Sequence, residues 1–375
     1  MVRSIPLFLF LLLACEQDYT VNPTPPDVDP ADVTECGFTR VESTAYYRYD
    51  CNPVFSGTGE DWADEIGPTA FNVTEVVGHP FYQLWYVGYV DDGSSFPPYA
   101  MGYAISPDGT EFTAHEDNPV LDQGQSAAFD SDYMSGNQVI YDPEAGEYVM
   151  IWQGIHDDPK PEKILNGLGV ASSTDGRNWE RFAKNPVFDF GSDEARDVNY
   201  CWPLDLTLGE VAGYTGYVAG SSDGSNVCEV YKLNASGFGN WEASDKVVLP
   251  VGERDAWDAT GMIAMSIANL GGTRYMFYVG FESWTRQGNY VMATNSKLGL
   301  AVYDENEGEW VKESEPLPLN LTENGDVSGV EALRVGNRIH LWITDAYEID
   351  GETKQAIGYF LYDPDFAAEE DAAAE

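Results

Sequence analysis

Apolar residues along this chain come in short runs, alternate with polar positions and are punctuated by Gly, Pro, Asn and Asp. That period of two predicts β-strands, and no amphipathic helix of ten or more residues stands out in the body of the chain. One set of runs is rich in Tyr and Trp, at residues 82–88, 148–152, 214–218, 274–279 and 338–343. Each is followed by a second run, at 101–105, 168–171, 228–231, 298–302 and 356–360. Each is also preceded by an opening apolar run, at 70–73, 138–140, 204–206, 262–265 and 330–333.

The runs belong to an internal repeat. Asn52-Pro-Val-Phe55, Asn118-Pro-Val-Leu121 and Asn185-Pro-Val-Phe188 recur at spacings of 66 and 67 residues, and Val247-Val-Leu249 and Pro316-Leu317 continue the series more weakly. Ser106-Pro-Asp-Gly-Thr-Glu-Phe112 and Ser173-Thr-Asp-Gly-Arg-Asn-Trp179 are 67 apart. Asp-Gly between two strand-like runs signals a hairpin, because tight turns need residues that tolerate positive φ. Five such units, each of about four short strands, predict an all-β, five-bladed β-propeller. The last unit stops after its third strand, and the first Asn-Pro-Val-Phe has no unit before it. The N-terminal strand within residues 45–55 is therefore expected to close the last blade, which removes the exposed sheet edges.

The ends of the chain read differently. Arg3 precedes the apolar stretch 5–14, which ends in Leu12-Leu13-Ala14-Cys15. Ten residues at about 1.5 Å each are too short for a bilayer core of about 30 Å, so this is an export signal and not a membrane-spanning helix. The Leu-Leu-Ala-Cys sequence resembles the lipobox of bacterial lipoproteins. That implies cleavage after residues 1–14, lipidation of Cys15 and, with Glu16 next, an outer-membrane lipoprotein facing the periplasm or the cell surface. Residues 16–35, rich in Pro and Asp, read as a tether. Residues 36–365 carry the propeller, and the acidic, Ala-rich residues 366–375 read as a disordered tail. Four further Cys remain (Cys36, Cys51, Cys201 and Cys228). In an exported chain they suggest two disulfides with three pairings open, and the local pairs Cys36–Cys51 and Cys201–Cys228 are expected.

Charge narrows the partners. The chain has 19 Lys and Arg against 63 Asp and Glu, a net charge of −44. Such a polyanion repels phosphate backbones, so nucleic acid is not an expected partner. The membrane is expected as a partner only through the lipid anchor, and the chain as a monomer. No Gly-x-Ser-x-Gly, P-loop or dinucleotide fingerprint is present.

The unit pattern of apolar strand, Tyr/Trp-rich strand, Ser-x-Asp-Gly-x-x-Trp hairpin and Asn-Pro-Val-Leu resembles five-bladed glycoside hydrolases. Family 43 is the nearest, with family 32 and related propellers behind it. The resemblance implies a base Asp opening the first blade, a second Asp that orients and tunes the acid, and a Glu acid in a later blade. The matching positions are Asp61 or Asp64, then Asp130 or Asp132, then Glu194. The chain departs from the pattern at Asp64-Glu-Ile-Gly-Pro68, where family members open with Asp-Pro. It departs again at Asn199-Tyr-Cys-Trp-Pro203, where they carry Glu before Pro. Glu331, on a predicted inner strand, is the substitute acid. Inverting glycoside hydrolysis of the arabinofuranosidase or xylosidase type is the implied activity.

Read from the residues alone, carboxylates recurring before each inner strand fit three roles: a catalytic pair, a calcium site or simple turn caps. No cofactor is required by the sequence, and calcium is the cation such a funnel would attract. Trp62, Trp202, Trp257 and Trp284 are candidate sugar platforms, with Asp258 beside them. His156 is a candidate metal ligand. A neutral oligo- or polysaccharide is the expected ligand, either hydrolysed or, in a second reading, bound without catalysis by a cell-envelope lipoprotein.

Overall fold

The computed structural model describes residues 36–41, 44–57, 70–75, 81–89, 98–125, 127–157, 164–190, 199–208, 213–221, 227–287, 290–319, 321, 327–349 and 351–364. The stretches expected from the sequence to be export signal, tether and acidic tail lie outside these residues, as do Cys15, Asp61, Trp62, Asp64 and Glu194. Gly37–Glu375 forms one compact unit.

That unit is an all-β, five-bladed propeller. Blade one comprises Ala70–Glu75, Tyr82–Tyr89, Tyr99–Ser106 and Thr113–Ala114, and blade two Tyr133–Asp142, Glu147–Asp157, Ile164–Ser173 and Glu180–Arg181. In both, a two-residue strand (Leu121–Asp122 or Phe188–Asp189) also pairs with the third strand. Blade three is Asn199–Leu208, Tyr214–Ser221, Glu229–Ala235 and Trp241–Leu249. Blade four is Gly261–Leu270, Thr273–Phe281, Lys297–Asp304 and Glu309–Lys312, with a separate hairpin of Ser283–Gln287 and Tyr290–Thr294. Blade five is Val330–Val335, Arg338–Ile349 and Glu352–Tyr362, completed by Tyr46–Tyr49 and Phe38–Arg40 from the other end of the chain. The first strand of each blade contacts that of the next, and the fifth contacts the first, so the ring is closed. Between blades lie fully buried Trp85, Trp152 and Trp342.

Two recurring devices explain the repeat. In the first, an Asn side-chain amide imitates a paired strand. Asn118 Oδ1 accepts from the Tyr103 N–H at 2.9 Å and its Nδ2 donates to the Tyr103 carbonyl at 3.0 Å. Asn185 does the same to Val170, at 3.0 and 2.9 Å. Asn52 does it to Tyr359, at 2.7 and 3.1 Å, across 307 residues of sequence. The Val of each motif then donates its N–H to the third strand at 2.8 Å, from Val120 to Met101, Val187 to Leu168 and Val54 to Ile357. All three Asn–Pro peptide bonds are cis. Asn52 thus fixes the N-terminal segment onto the last blade, as the sequence pattern predicts. Cys36 and Cys51, either side of its two strands, form a disulfide. Cys228 is disulfide-bonded as well, while the side chain of Cys201 lies outside the described residues.

The second device is a latch between blades. Ser106 and Ser173 Oγ accept the N–H groups of Gly109 and Gly176 at 2.8 and 2.9 Å, which folds each Asp-Gly hairpin. The glycine carbonyl then accepts an indole N–H from the preceding blade: Trp342 to Gly109 at 2.9 Å, and Trp85 to Gly176 at 2.7 Å. Both glycines have positive φ, and a Cβ there would lie 2.7 Å from Trp342 or 2.8 Å from Trp85. Only glycine meets both demands.

Where the five inner strands meet, each contributes one buried polar side chain: Asn72, Gln138, Asp205, Ser266 and Glu331. Asn72 Nδ2 donates to Glu331 Oε2 at 2.8 Å and to Gln138 Oε1 at 3.3 Å, and Ser266 Oγ donates to Glu331 Oε1 at 2.7 Å. Burial pushes the Glu331 carboxyl up to about 7, against the opposing hydrogen bonds from Ser266 and Asn72. Burial, and then the charge of Glu331, push Asp205 well above the usual carboxylate range. This hub plugs the axis.

Two outcomes follow. Asn52→Ala removes both hydrogen bonds of the closing clamp and lowers the unfolding free energy by about 2 kcal/mol, measured by urea denaturation; an unchanged transition would mean that closure does not depend on the clamp. For the hub, the folded state holds a proton on Glu331 that the unfolded chain releases above its ordinary value of 4.5. Stability therefore falls as pH rises from about 4.5 to about 7. Glu331→Gln makes that dependence shallower, with Asp205 keeping the remainder. A slope as steep as the wild type's would place the titration elsewhere.

Candidate active site at the inner-strand mouth

The repeated meander starts every inner strand at the same end of the ring, so the residues just before those strands share one mouth. The repeat also supplies a control, because blades two and four open with the same loop. Gly124-Gln-Ser-Ala-Ala-Phe129-Asp130 and Gly252-Glu-Arg-Asp-Ala-Trp257-Asp258 each close with a hydrogen bond of 3.1 Å from the glycine N–H to the aspartate carbonyl. A Cβ on either glycine would collide with the Asp carboxylate, at 2.2 and 2.1 Å.

The two aspartates are matched struts. Asp130 is fully buried, accepts from Trp152 Nε1 at 3.1 Å and is ion-paired to Arg181 on the outer strand of its blade. Asp258 is 3% exposed, accepts from the Tyr278 hydroxyl at 3.2 Å and pairs with Lys312 at 2.7 Å. Trp257 stacks on Tyr278 with ring centroids 5.6 Å apart, as Phe129 packs on Trp152 at 6.0 Å. Burial, reinforced by Asp258, holds the Tyr278 phenol above its ordinary range. Each strut ties the loop to the second and fourth strands of its blade. The sequence offered Asp130, Asp258 and Trp257 as catalytic or sugar-binding candidates; the structure commits their side chains to holding the blade together. The signal that separates the roles is the cation on the outer strand, which only the fold brings near.

Two residues further on, the repeat breaks. Asp132 and Thr260 occupy the same backbone position, donating to the carbonyls of Ile155 at 3.1 Å and Phe281 at 3.2 Å. Thr260 turns its hydroxyl to the Glu282 carbonyl at 2.6 Å. Asp132 instead places Oδ2 at 2.8 Å from His156 Nδ1, and Ser131 Oγ lies 2.8 Å from the same nitrogen. Both partners reach solvent, with side chains 29% exposed for Asp132 and 17% for His156. With Nδ1 engaged, Nε2 is the ring atom left to meet a ligand, and the carboxylate fixes its orientation. A partly exposed, oriented Asp–His pair at the mouth is what the structural repeat does not require.

The other candidates fall in different places. Glu331 sits in the buried hub, hydrogen-bonded on both oxygens. Asp205, Asn72, Gln138 and Ser266 join it there, and the sequence reading missed them as a set. Their signal was a polar residue in or directly after the opening run of every unit, at spacings of 66, 67, 61 and 65. Trp284 starts the extra hairpin of blade four, half-buried, its ring 4.4 Å from Phe281 in an edge contact. Trp202 lies on the inner strand Asn199–Leu208, its side chain outside the described residues. Among the described residues no group of three or more His, Cys, Asp or Glu is arranged to hold a metal ion.

Neither a protein-family model nor a curated protein sequence matches the chain. Solved structures do. A glycosyl hydrolase from Bacteroides ovatus superposes with a TM-score of 0.57 at 16% identity, covering 88% of this chain and 94% of that one. The β-1,2-mannobiose phosphorylase of Listeria innocua, in complex with β-1,2-mannobiose, gives 0.56 at 13% identity, over 86% and 98%. A thermostable family-43 glycoside hydrolase gives 0.50 at 13% identity, over 78% and 95%. At such identities the likeness is one of fold: this chain resembles the five-bladed propellers on which glycoside hydrolases are built.

Proposed function

We propose that this chain is an exported, lipid-anchored protein that hydrolyses neutral glycans at the inner-strand mouth of its propeller. The observation that carries this reading is the Asp132–His156 pair. It occupies a position that Thr260 fills in blade four, and both of its side chains reach solvent. A chain with a net charge of −44 disfavours acidic sugars by charge repulsion, which points to neutral polymers. One structural neighbour is a phosphorylase of β-1,2-mannobiose, a neutral sugar, and another is a glycosyl hydrolase. The resemblance of the unit motifs to family 43 implies arabinose- or xylose-containing chains and single displacement with inversion.

In that chemistry one carboxylic acid protonates the leaving oxygen, while a carboxylate across the bond activates water. Asp61 or Asp64 is the proposed base and Glu194 the proposed acid. Asp132, held by His156, orients the acid and raises its proton affinity as a neighbouring negative charge. One observation favours a binding propeller without catalysis: blade three lacks a Glu before Pro203, and the substitute Glu331 is sealed into the hub.

Incubation of the purified chain with aryl-glycosides and arabinan, xylan and mannan, followed by a reducing-sugar assay, decides between the two. We expect release of sugar that drops by roughly 100-fold in Asp132→Asn and in Glu194→Gln, with unfolding transitions unchanged. No release from any substrate, with glycan binding retained, would establish the binding propeller. Anchoring has its own readout. Cys15→Ser moves the chain from the membrane to the soluble fraction and abolishes incorporation of labelled palmitate; a variant still membrane-bound would rule out Cys15 as the anchor.

A further inference from the structure

The Asp-Gly hairpins that latch neighbouring blades are nearly identical, yet the two junctions they make differ. At the junction of blades five and one, Phe112 ends the hairpin. It is buried, donates its N–H to the Val54 carbonyl at 3.4 Å and packs on Phe55. At the junction of blades one and two, Trp179 stands in the place of Phe112 and Val120 in the place of Val54. Here no backbone bond draws hairpin and loop together. A groove of about 560 Å³ opens between them, well within the size of small-ligand sites.

We propose that this groove is a carbohydrate-binding site, separate from the mouth, that holds one or two units of a neutral glycan. Trp179, with Pro119 and Val120, gives it an apolar wall. A half-buried indole suits the C–H face of a sugar ring, offering a flat apolar body with a polar edge. The Trp179 Nε1–H is buried and has no hydrogen-bond partner. The polar wall mixes donors and acceptors: Arg177, Asn178 and His115 beside Asp117 and Glu180. Arg177 Nη1 lies 3.2 Å from His115 Nε2, which bridges the two blades across the groove. Vicinal hydroxyls, which donate and accept at once, match such a wall. An anionic ligand would face Asp117 and Glu180, and a lipid tail would strand the charges.

Neither Asp132 nor His156 lines the groove. In blade two the third strand starts at the mouth, beside His156, and runs down to Ser173, where the hairpin carrying Arg177 and Trp179 begins. The site therefore works whether or not the mouth is catalytic. It would keep a polymer on the protein between encounters with the mouth.

The test uses the full-length chain in detergent, labelled with 5-fluorotryptophan. The Trp179 signal is assigned among the ten tryptophan lines as the one lost in Trp179→Phe. Xylohexaose, arabinohexaose, mannohexaose and inorganic phosphate are titrated separately. We expect one of the sugars to move the Trp179 line saturably with a Kd of about 1 mM. Arg177→Ala, at a partly exposed side chain, weakens the effect at least about five-fold, and Asp132→Asn leaves it intact. A line that stays still with all three sugars overturns the proposal. So does one that responds to phosphate, that shifts equally in Arg177→Ala, or that loses its response in Asp132→Asn.

Discussion

Everything in this ring depends on a side-chain amide standing in for a strand. A propeller of consecutive meanders has one weak seam, where the last blade meets the start of the chain. Here Asn52 closes it by giving Tyr359 both a donor and an acceptor, the same service that Asn118 and Asn185 perform within their own blades. Because the amide offers both groups at fixed spacing, it satisfies a backbone N–H and C=O that an edge would leave bare.

The repetition tells architecture from function. A residue that returns in several blades, making the same bonds each time, serves the blade. Asp130 and Asp258 meet that description down to the cation that neutralises each one. With only 19 Lys and Arg against 63 acidic residues, placing Arg181 and Lys312 against buried aspartates is a costly use of scarce cations. Losing either partner would leave an uncompensated buried charge. Asp132 departs from the pattern, and the mouth is where a departure has chemical meaning.

Much of the fold was legible in the sequence because its signals are local. Asn-Pro-Val-Phe, Ser-x-Asp-Gly and the alternating runs specify turns and strands within a few residues, and their even spacing specifies blades. The leading Asn52 motif, lacking a unit of its own, pointed to ring closure. The site was less legible, because what matters there is which distant side chain meets which. Nothing local separates Asp130 from Asp132; one meets Arg181 and Trp152, the other His156. Glu331 looked like an acid on an inner strand, and only the convergence of five strands shows that Asn72 and Ser266 use up its oxygens.

The latches have a further consequence, for assembly in time. Trp342 in blade five grips the hairpin of blade one, and Trp85 in blade one grips that of blade two. The equivalent Trp152 in blade two gives its indole hydrogen to Asp130 instead. The arc from blade five through blade one to blade two is thus stitched together in a way the other junctions are not. Yet that arc joins the first-made and last-made parts of the polypeptide. A chain emerging in order from the ribosome can complete blades two, three and four early, while its own leading segment waits for the final strands. The Trp342 latch is therefore among the last contacts to form, whereas Trp85 can grip Gly176 as soon as blade two is made.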